Sequence, residues 1–210
     1  NFPIVCNDDQ LKLAYENSLK QGNFKASVDS NNFKLADIVI IDINLDVEIH
    51  DKSSKVDFSN LKKAIKTVGS KIKKETLVIV ETTVPPGTTE NIILPILKEE
   101  LNKRFGFNCV PNLAHSYERV MPGPNYLSSI INFWRVNAGI DKNSSGKCKN
   151  FLSTIINTEE FNMTELSNTT ASELAKVLEN SYRAVNIAFI QEWGLFSESI
   201  GINIFEIVLL

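Results

Sequence analysis

Short apolar runs alternate with longer amphipathic ones along the first two thirds of the chain. Ala36-Asp37-Ile38-Val39-Ile40-Ile41-Asp42-Ile43 and Thr76-Leu77-Val78-Ile79-Val80 are β-branched and apolar almost throughout. Such runs predict strands buried on both faces of a parallel sheet. Phe107-Asn108-Cys109-Val110 predicts a third strand, and Phe133-Trp134-Arg135-Val136-Asn137-Ala138 a fourth. Between them the period becomes helical. Residues 8–21 carry Leu11, Leu13, Ala14 and Leu19 on one stripe and end at Gly22, a C-cap. Residues 57–74 place Phe58, Leu61, Ala64, Ile65, Val68 and Ile72 on one face and lysines on the other, and residues 88–104 read as a further helix. Strands and helices alternating at this spacing predict an α/β chain with a Rossmann-like, mostly parallel, doubly wound sheet. Such sheets bind ligands at the carboxyl ends of their strands, here Asp42 to Leu45 and Glu81 to Val84.

From Thr170 the pattern changes. Residues 171–200 contain no Pro and one Gly, Gly194, while Leu174, Val177, Leu178, Val185, Ala188, Phe189 and Phe196 recur at helical spacing. Thr169 or Thr170 caps the start, and Glu173 completes a capping box with Thr170. A helix of this length spans about 45 Å, more than a compact domain needs. It is expected to bridge two domains or two subunits. Apolar residues on more than one face, among them Val185, Phe189, Trp193 and Phe196, predict a homodimer through this helix. The division expected is a sheet domain over 1–142 and a helical domain over 143–210.

Composition narrows the partners. The chain has 210 residues, 22 Lys and Arg against 25 Asp and Glu, and a net charge of −3. That balance argues against nucleic acid, which selects a basic face. The lysines between Lys52 and Lys74 read as a solvated helix face. No apolar run approaches the roughly 18 residues of a membrane span. Cys6, Cys109 and Cys148 are odd in number and widely spaced. They imply no disulfide framework and no metal site, and hence a reducing compartment, the cytoplasm. The chain opens without Met and stops inside the apolar stretch Ile204 to Leu210, so it is expected to be a fragment of a longer protein.

Three segments carry candidate chemistry. Glu81-Thr82-Thr83-Val84-Pro85-Pro86-Gly87-Thr88-Thr89-Glu90 puts two hydroxyls and a carboxylate at a strand end, with Gly87 allowing close backbone approach. It reads equally as a strand followed by a capped helix. His115-Ser116-Tyr117-Glu118-Arg119-Val120-Met121-Pro122-Gly123 has a Glu–Arg pair that could grip a phosphate or hold a carboxylate near a sugar hydroxyl, or form a salt-bridged surface turn. On the long helix, Lys176 and Asn180 share a face four residues apart. Together they could move a proton and donate to an oxyanion. Alternatively Lys176 snorkels to solvent.

Taken in order, these segments resemble the UDP-glucose/GDP-mannose dehydrogenase family. Glu81 to Glu90 is similar to E-S-T-V-P-P-G-T-T-E, and Ser116 to Gly123 to S-P-E-R-V-x-P-G. Arg135-Val136-Asn137-Ala138-Gly139-Ile140-Asp141 is similar to R-V-V-G-G-x-D, and Ser172 to Ala188 to A-E-L-x-K-L-x-E-N-T-Y-R-A-V-N-I-A. The resemblance implies oxidation of the C6 alcohol of a UDP- or GDP-sugar to a carboxylate, with NAD as cofactor and a thioester on a cysteine. It implies catalytic roles for Thr83, Glu118, Lys176 and Asn180, and cofactor contacts at Ile43, Asn44, Leu45, Thr82, Thr83 and Val84. Substrate contacts are implied for Glu118, Arg119, Val120, Met121, Pro122, Lys176 and Asn180. It makes residues 1–142 the later part of the NAD-binding domain and 143–210 the start of the central, dimerising domain. The departures are Tyr117 where the family has Pro, Asp42-Ile43-Asn44-Leu45 in place of V-x-T-P, and Gln191 in place of Asn. None of the three cysteines lies in the family's Cys motif, and no Gly-rich phosphate turn occurs in the 210 residues. Two other readings stand beside this one: a different β-hydroxyacid-type dehydrogenase, and a non-catalytic dimerising remnant.

Overall fold

A computed structural model describes residues 7–50, 53–121 and 123–208. The sheet expected from the apolar runs is present. Its strands are β1 (Ile38–Ile41), β4 (Leu77–Val80), β5 (Asn112–His115), β6 (Arg135–Gly139) and β7 (Met163–Glu165), ordered β1-β4-β5-β6-β7. The β1–β4, β4–β5 and β6–β7 pairs are parallel, and β5–β6 is antiparallel. Ile41, Val80 and His115 lie abreast, so the carboxyl ends of three strands share one edge.

Helices cover both faces, and the pleat sorts the core between them. Val78 and Val80 pack with Val39, Ile41, Leu61, Ile65, Val68, Leu97 and Leu101, burying α2 (Ser59–Gly69) and α3 (Leu94–Phe105). Leu77 and Ile79 point the other way, against Cys148, Leu152 and Ile156 at α5 (Lys142–Leu152) and just beyond it. The solvent face of α2 carries Lys62, Lys63 and Lys66, as its charge pattern predicts. α1 (Asp9–Lys20) runs as expected, with Gly22 in the left-handed region just after it.

Three expectations need correction. The third strand is β5, not residues 107–110; Phe107 is 96% exposed in a turn. β1 is buried on one face only. It is an edge strand, and Ile40 on its second face is 42% exposed because α5 packs farther along the sheet. The long helix α6 (Thr169–Ser199) is capped by Asn168, whose side chain accepts from the Ala171 N–H, and not by a Thr–Glu173 box. Several elements have no counterpart in the sequence reading: a 3-10 helix over Ser30–Leu35, the hairpin β2 (Asp46–His50) and β3 (Ser53–Asp57), the short α4 (Tyr126–Ile131), α5 and β7. α7 (Ile204–Val208) follows α6.

β6 turns into α5 through Gly139. A Cβ there would stand 2.3 Å from the Ser145 nitrogen and 2.7 Å from the Asp141 carbonyl oxygen, both backbone. Gly139→Ala is therefore expected to destabilise the chain by about 2 kcal/mol. Urea unfolding should show a lowered midpoint at unchanged slope.

Candidate functional site

The shared carboxyl edge opens into a cleft of about 530 Å³. After β1 the chain runs through Asp42, Asn44 and Leu45 along one wall; after β4, Thr82 to Pro86 form the other. The hairpin adds Val47 and Val56, and Glu118 and Val177 complete the lining. Thr82 is locked in place: its hydroxyl donates to the Ile43 carbonyl at 2.9 Å, tying the two strand ends together. Thr83 alternates outward and is exposed at the cleft. Of the residues singled out for cofactor contact, Asn44, Leu45, Thr82, Thr83 and Val84 line this one space. The Ile43 side chain does not; it packs against the core under α2.

The segment after β5 is held from several sides. Ser116 donates from its backbone to the Val80 carbonyl and from its hydroxyl to that of Val136. The Glu118 carboxylate accepts from the Val120 N–H. Arg119 turns away from the cleft to pair with Glu179 of α6 at 2.7 Å. Met121 is largely exposed, with its N–H given to Ser129 of α4 at 2.9 Å. Pro122 lies outside the described residues. Tyr117, which the sequence reading treated only as a departure, is buried, with Lys176 Nζ 5.2 Å and the Arg119 guanidinium 5.8 Å from its ring centre. Two cations flanking one aromatic ring fix the ring and the cations together.

Lys176 does not snorkel. It is 9% exposed, and Nζ donates to the Glu118 carbonyl at 2.9 Å. Asn180, one turn along α6, is exposed. The structure thus joins Lys176 to the Glu118 segment beside the cleft and leaves Asn180 exposed one turn farther along the helix.

Two buried polar groups were missed by the sequence reading. Arg135 forms an ion pair with Glu81 just above the sheet edge, and burial pulls its guanidinium down to about 10, still charged at neutral pH. His115, fully buried at the end of β5, meets the Ser172 hydroxyl at 2.8 Å through Nδ1, and its Nε2 makes no hydrogen bond of good geometry. Burial pushes it down to about 4, against a smaller opposing pull from the Thr82 backbone. The Cys148 thiol is pushed up to about 12 by burial, so it presents no thiolate at neutral pH; Cys109 is also buried and free. Cys6 lies outside the described residues.

Leu45, Val47, Val56, Val84 and Pro85 give the cleft apolar surface, while Asn44 and Thr83 add polar groups.

Comparison with known proteins gives the family. The model for the UDP-glucose/GDP-mannose dehydrogenase family, NAD binding domain, matches residues 2–158, and that for the same family's central domain matches residues 170–210. A UDP-N-acetyl-D-mannosamine dehydrogenase of Methanocaldococcus jannaschii is 32% identical over 190 residues, covering 88% of this chain and 41% of the relative. Protein CapL of Staphylococcus aureus is 31% identical, covering 96% of this chain and 46% of the relative. The crystal structure of NDP-N-acetyl-D-galactosaminuronic acid dehydrogenase from Methanosarcina mazei Go1 superposes with a TM-score of 0.76 at 30% identity, over 99% of this chain and 42% of that one. The chain spans less than half the length of these relatives. Among the described residues no helix is long and apolar enough to cross a membrane. The chain belongs to the UDP-glucose/GDP-mannose dehydrogenase family, matching its NAD-binding domain over residues 2–158 and its central domain over residues 170–210.

Proposed function

We propose that this chain is the working middle of an NAD-dependent nucleotide-sugar 6-dehydrogenase of the cytoplasm, oxidising the C6 alcohol of a UDP- or GDP-sugar to a carboxylate. The observation that carries the reading is the tie between Lys176 and the Glu118 segment beside a cleft lined by Thr82, Thr83 and Val84. NAD, when bound, accepts the hydride leaving C6. Asn44, Leu45, Thr83 and Val84 would hold its nicotinamide half. The Lys176 ammonium is held in place by the Glu118 carbonyl and the Tyr117 ring. A cation fixed there meets negative charge growing on the C6 oxygen without having to reorganise. Glu118 lines the cleft, where it would serve as a proton acceptor or water-positioning group. Thr83 offers its hydroxyl at the same wall. Arg119, Val120, Met121 and Pro122 continue the segment proposed to follow the substrate, and Asn180 would reach it from α6. The thioester-forming cysteine is none of the three here. We place the division between the two domains after β7, because α5 packs on the sheet and β7 pairs with β6.

The test is direct. The full-length protein, given NAD and a panel of UDP- and GDP-sugars, is expected to form NADH with at least one of them. NADH formation only with simple hydroxy acids would favour the β-hydroxyacid dehydrogenase reading instead. Activity with neither class would leave the dimerising remnant.

We also propose a homodimer through α6. Past its third turn the helix exposes Tyr182, Val185, Phe189, Trp193 and Phe196, with Phe189, Trp193 and Phe196 packed edge to face. A continuous aromatic and aliphatic face of this kind is rare on a monomer. Light scattering at micromolar concentration is expected to report a dimer, and a monomer throughout would count against it.

A further inference from the structure

The buried residues in the first two turns of α6 are Thr169, Ser172, Glu173 and Lys176. Their spacing is that of an apolar core stripe, yet all four are polar. Each is spoken for by a different part of the cleft's frame. Thr169 donates to Glu90 at 3.0 Å, Ser172 meets His115 at the end of β5, and Lys176 donates to the Glu118 carbonyl. Glu173, fully buried, takes the most. Its Oε1 accepts from the Thr89 N–H at 2.7 Å and the Thr89 hydroxyl at 2.6 Å, and its Oε2 accepts from the Gly87 N–H at 2.5 Å.

These three donors belong to the turn that follows Thr83. Gly87 stands at φ +90, where a side chain would be strained, and a Cβ would come 2.8 Å from the Asn91 amide. From Thr89 to Ile93 the helix is wound as a π-turn before it settles into α3. A turn of this shape presents several N–H groups to one side, where an acceptor can collect them. Glu173 is the acceptor, and it stands one helical turn before Lys176.

We infer that Glu173 is a positioning residue, whose buried carboxylate clamps the Pro-Pro-Gly-Thr-Thr turn to α6 and so sets the wall bearing Thr83 against Lys176. The inference rests on the dehydrogenase reading above. The clamp has the two ends such a role needs. One end is the backbone that carries the Thr82–Thr83 wall, and the other is the helix that carries the cation. A neutral carboxamide cannot replace it, because it has one acceptor oxygen and an NH₂ group that would face an N–H.

The experiment uses Glu173→Gln and Thr89→Val in the full-length protein, with two readouts. Amide hydrogen exchange at Gly87 and Thr89 reports the clamp without reference to activity. Steady-state kinetics with the nucleotide sugar report its consequence. In Glu173→Gln, exchange at Gly87 or Thr89 is expected to speed up at least about tenfold. kcat should fall about 10²-fold while KM for the sugar changes less than about threefold, because a small misplacement costs turnover more than binding. Thr89→Val removes one donor with little change of shape, and should give a smaller fall in kcat with the same split. It also serves if Glu173→Gln folds poorly. Unchanged exchange in Glu173→Gln would overturn the clamp. Faster exchange with kcat within about twofold of the parent would reduce Glu173 to a structural clip, as would an equal change in kcat and KM. A parent that oxidises no nucleotide sugar would sink the dehydrogenase reading, while the exchange arm still decides whether Glu173 holds the turn.

Discussion

Lys176→Ala in the full-length enzyme is expected to lower kcat by about 10²–10³, or roughly 3–4 kcal/mol of transition-state stabilisation. KM for the nucleotide sugar should move little. The reasoning starts from burial. An ammonium that is 9% exposed, with one N–H given to the Glu118 carbonyl, is oriented before substrate arrives. Its charge matters most when an oxygen nearby becomes negative, which happens in the transition state and not in the bound alcohol. Loss of that interaction therefore appears in kcat. Lys176→Met separates charge from packing, since it keeps an unbranched apolar stem beside Tyr117. A kcat fall shared by the Ala and Met variants assigns the effect to the charge. Asn180→Ala should act in the same direction but more weakly, because Asn180 is exposed and a neutral donor. A kcat within twofold of the parent for Lys176→Ala would remove Lys176 from the catalytic set and leave it as a strut for the Glu118 segment.

The parts of the fold legible from sequence are those whose burial is apolar. β1 and β4 are runs of β-branched residues, and α2 shows its core face as Leu61, Ile65 and Val68, with Ile72 buried just past its end. The elements that escaped are buried through small or polar side chains. α5 seats Ser144, Ser145, Cys148 and Leu152 against the sheet, with the Asn137 amide donating to the Ser145 hydroxyl at 3.0 Å. No apolar stripe exists there to be seen. β5 is Asn112-Leu113-Ala114-His115, and its polar ends are taken up by α5 and α6, so the more apolar Phe107 to Val110 drew the prediction to the wrong place.

α6 shows a related effect. Leu174 and Leu178, two of the residues whose helical spacing marks it, are exposed, and the buried positions of its first two turns are Thr169, Ser172, Glu173 and Lys176. Periodicity located the helix, but its contact with the sheet is made by polar side chains that no apolar pattern announces. The site motifs were legible because each residue type follows from a local task, such as a glycine where φ is positive or a hydroxyl at a strand end. Their mutual ties were not, since Glu173 and Thr89 are 84 residues apart in sequence.

Acid should weaken the fold through His115 before the carboxylates contribute. A histidine free in the unfolded chain titrates near 6.5, while the buried one is held down to about 4. Between those values the unfolded state binds the proton and the native state does not. Stability is then fully present above about 6.5 and is lost as pH falls toward 4. At 1.36 kcal/mol per unit, the shift amounts to about 3 kcal/mol at pH 4. Hydrogen bonds from the backbone N–H groups of Leu127, Asn31 and Ser59 hold Asp8, Asp29 and Asp57 below the ordinary carboxylate value, so they titrate beneath this window. Glu173 works in the opposite sense. Burial raises it, so protonation above the ordinary glutamate value favours the native state and masks part of the loss. The measurement is therefore a difference. Urea unfolding of the chain and of its His115→Gln variant is compared from pH 7 to pH 4. The variant starts less stable at pH 7, having disturbed the contact with Ser172, but its stability should fall by about 3 kcal/mol less than the parent's. Every other group cancels in that comparison. Parallel losses in the two proteins would show that His115 is protonated as easily in the folded chain as in the unfolded one, and that its burial at the end of β5 costs the charged form nothing.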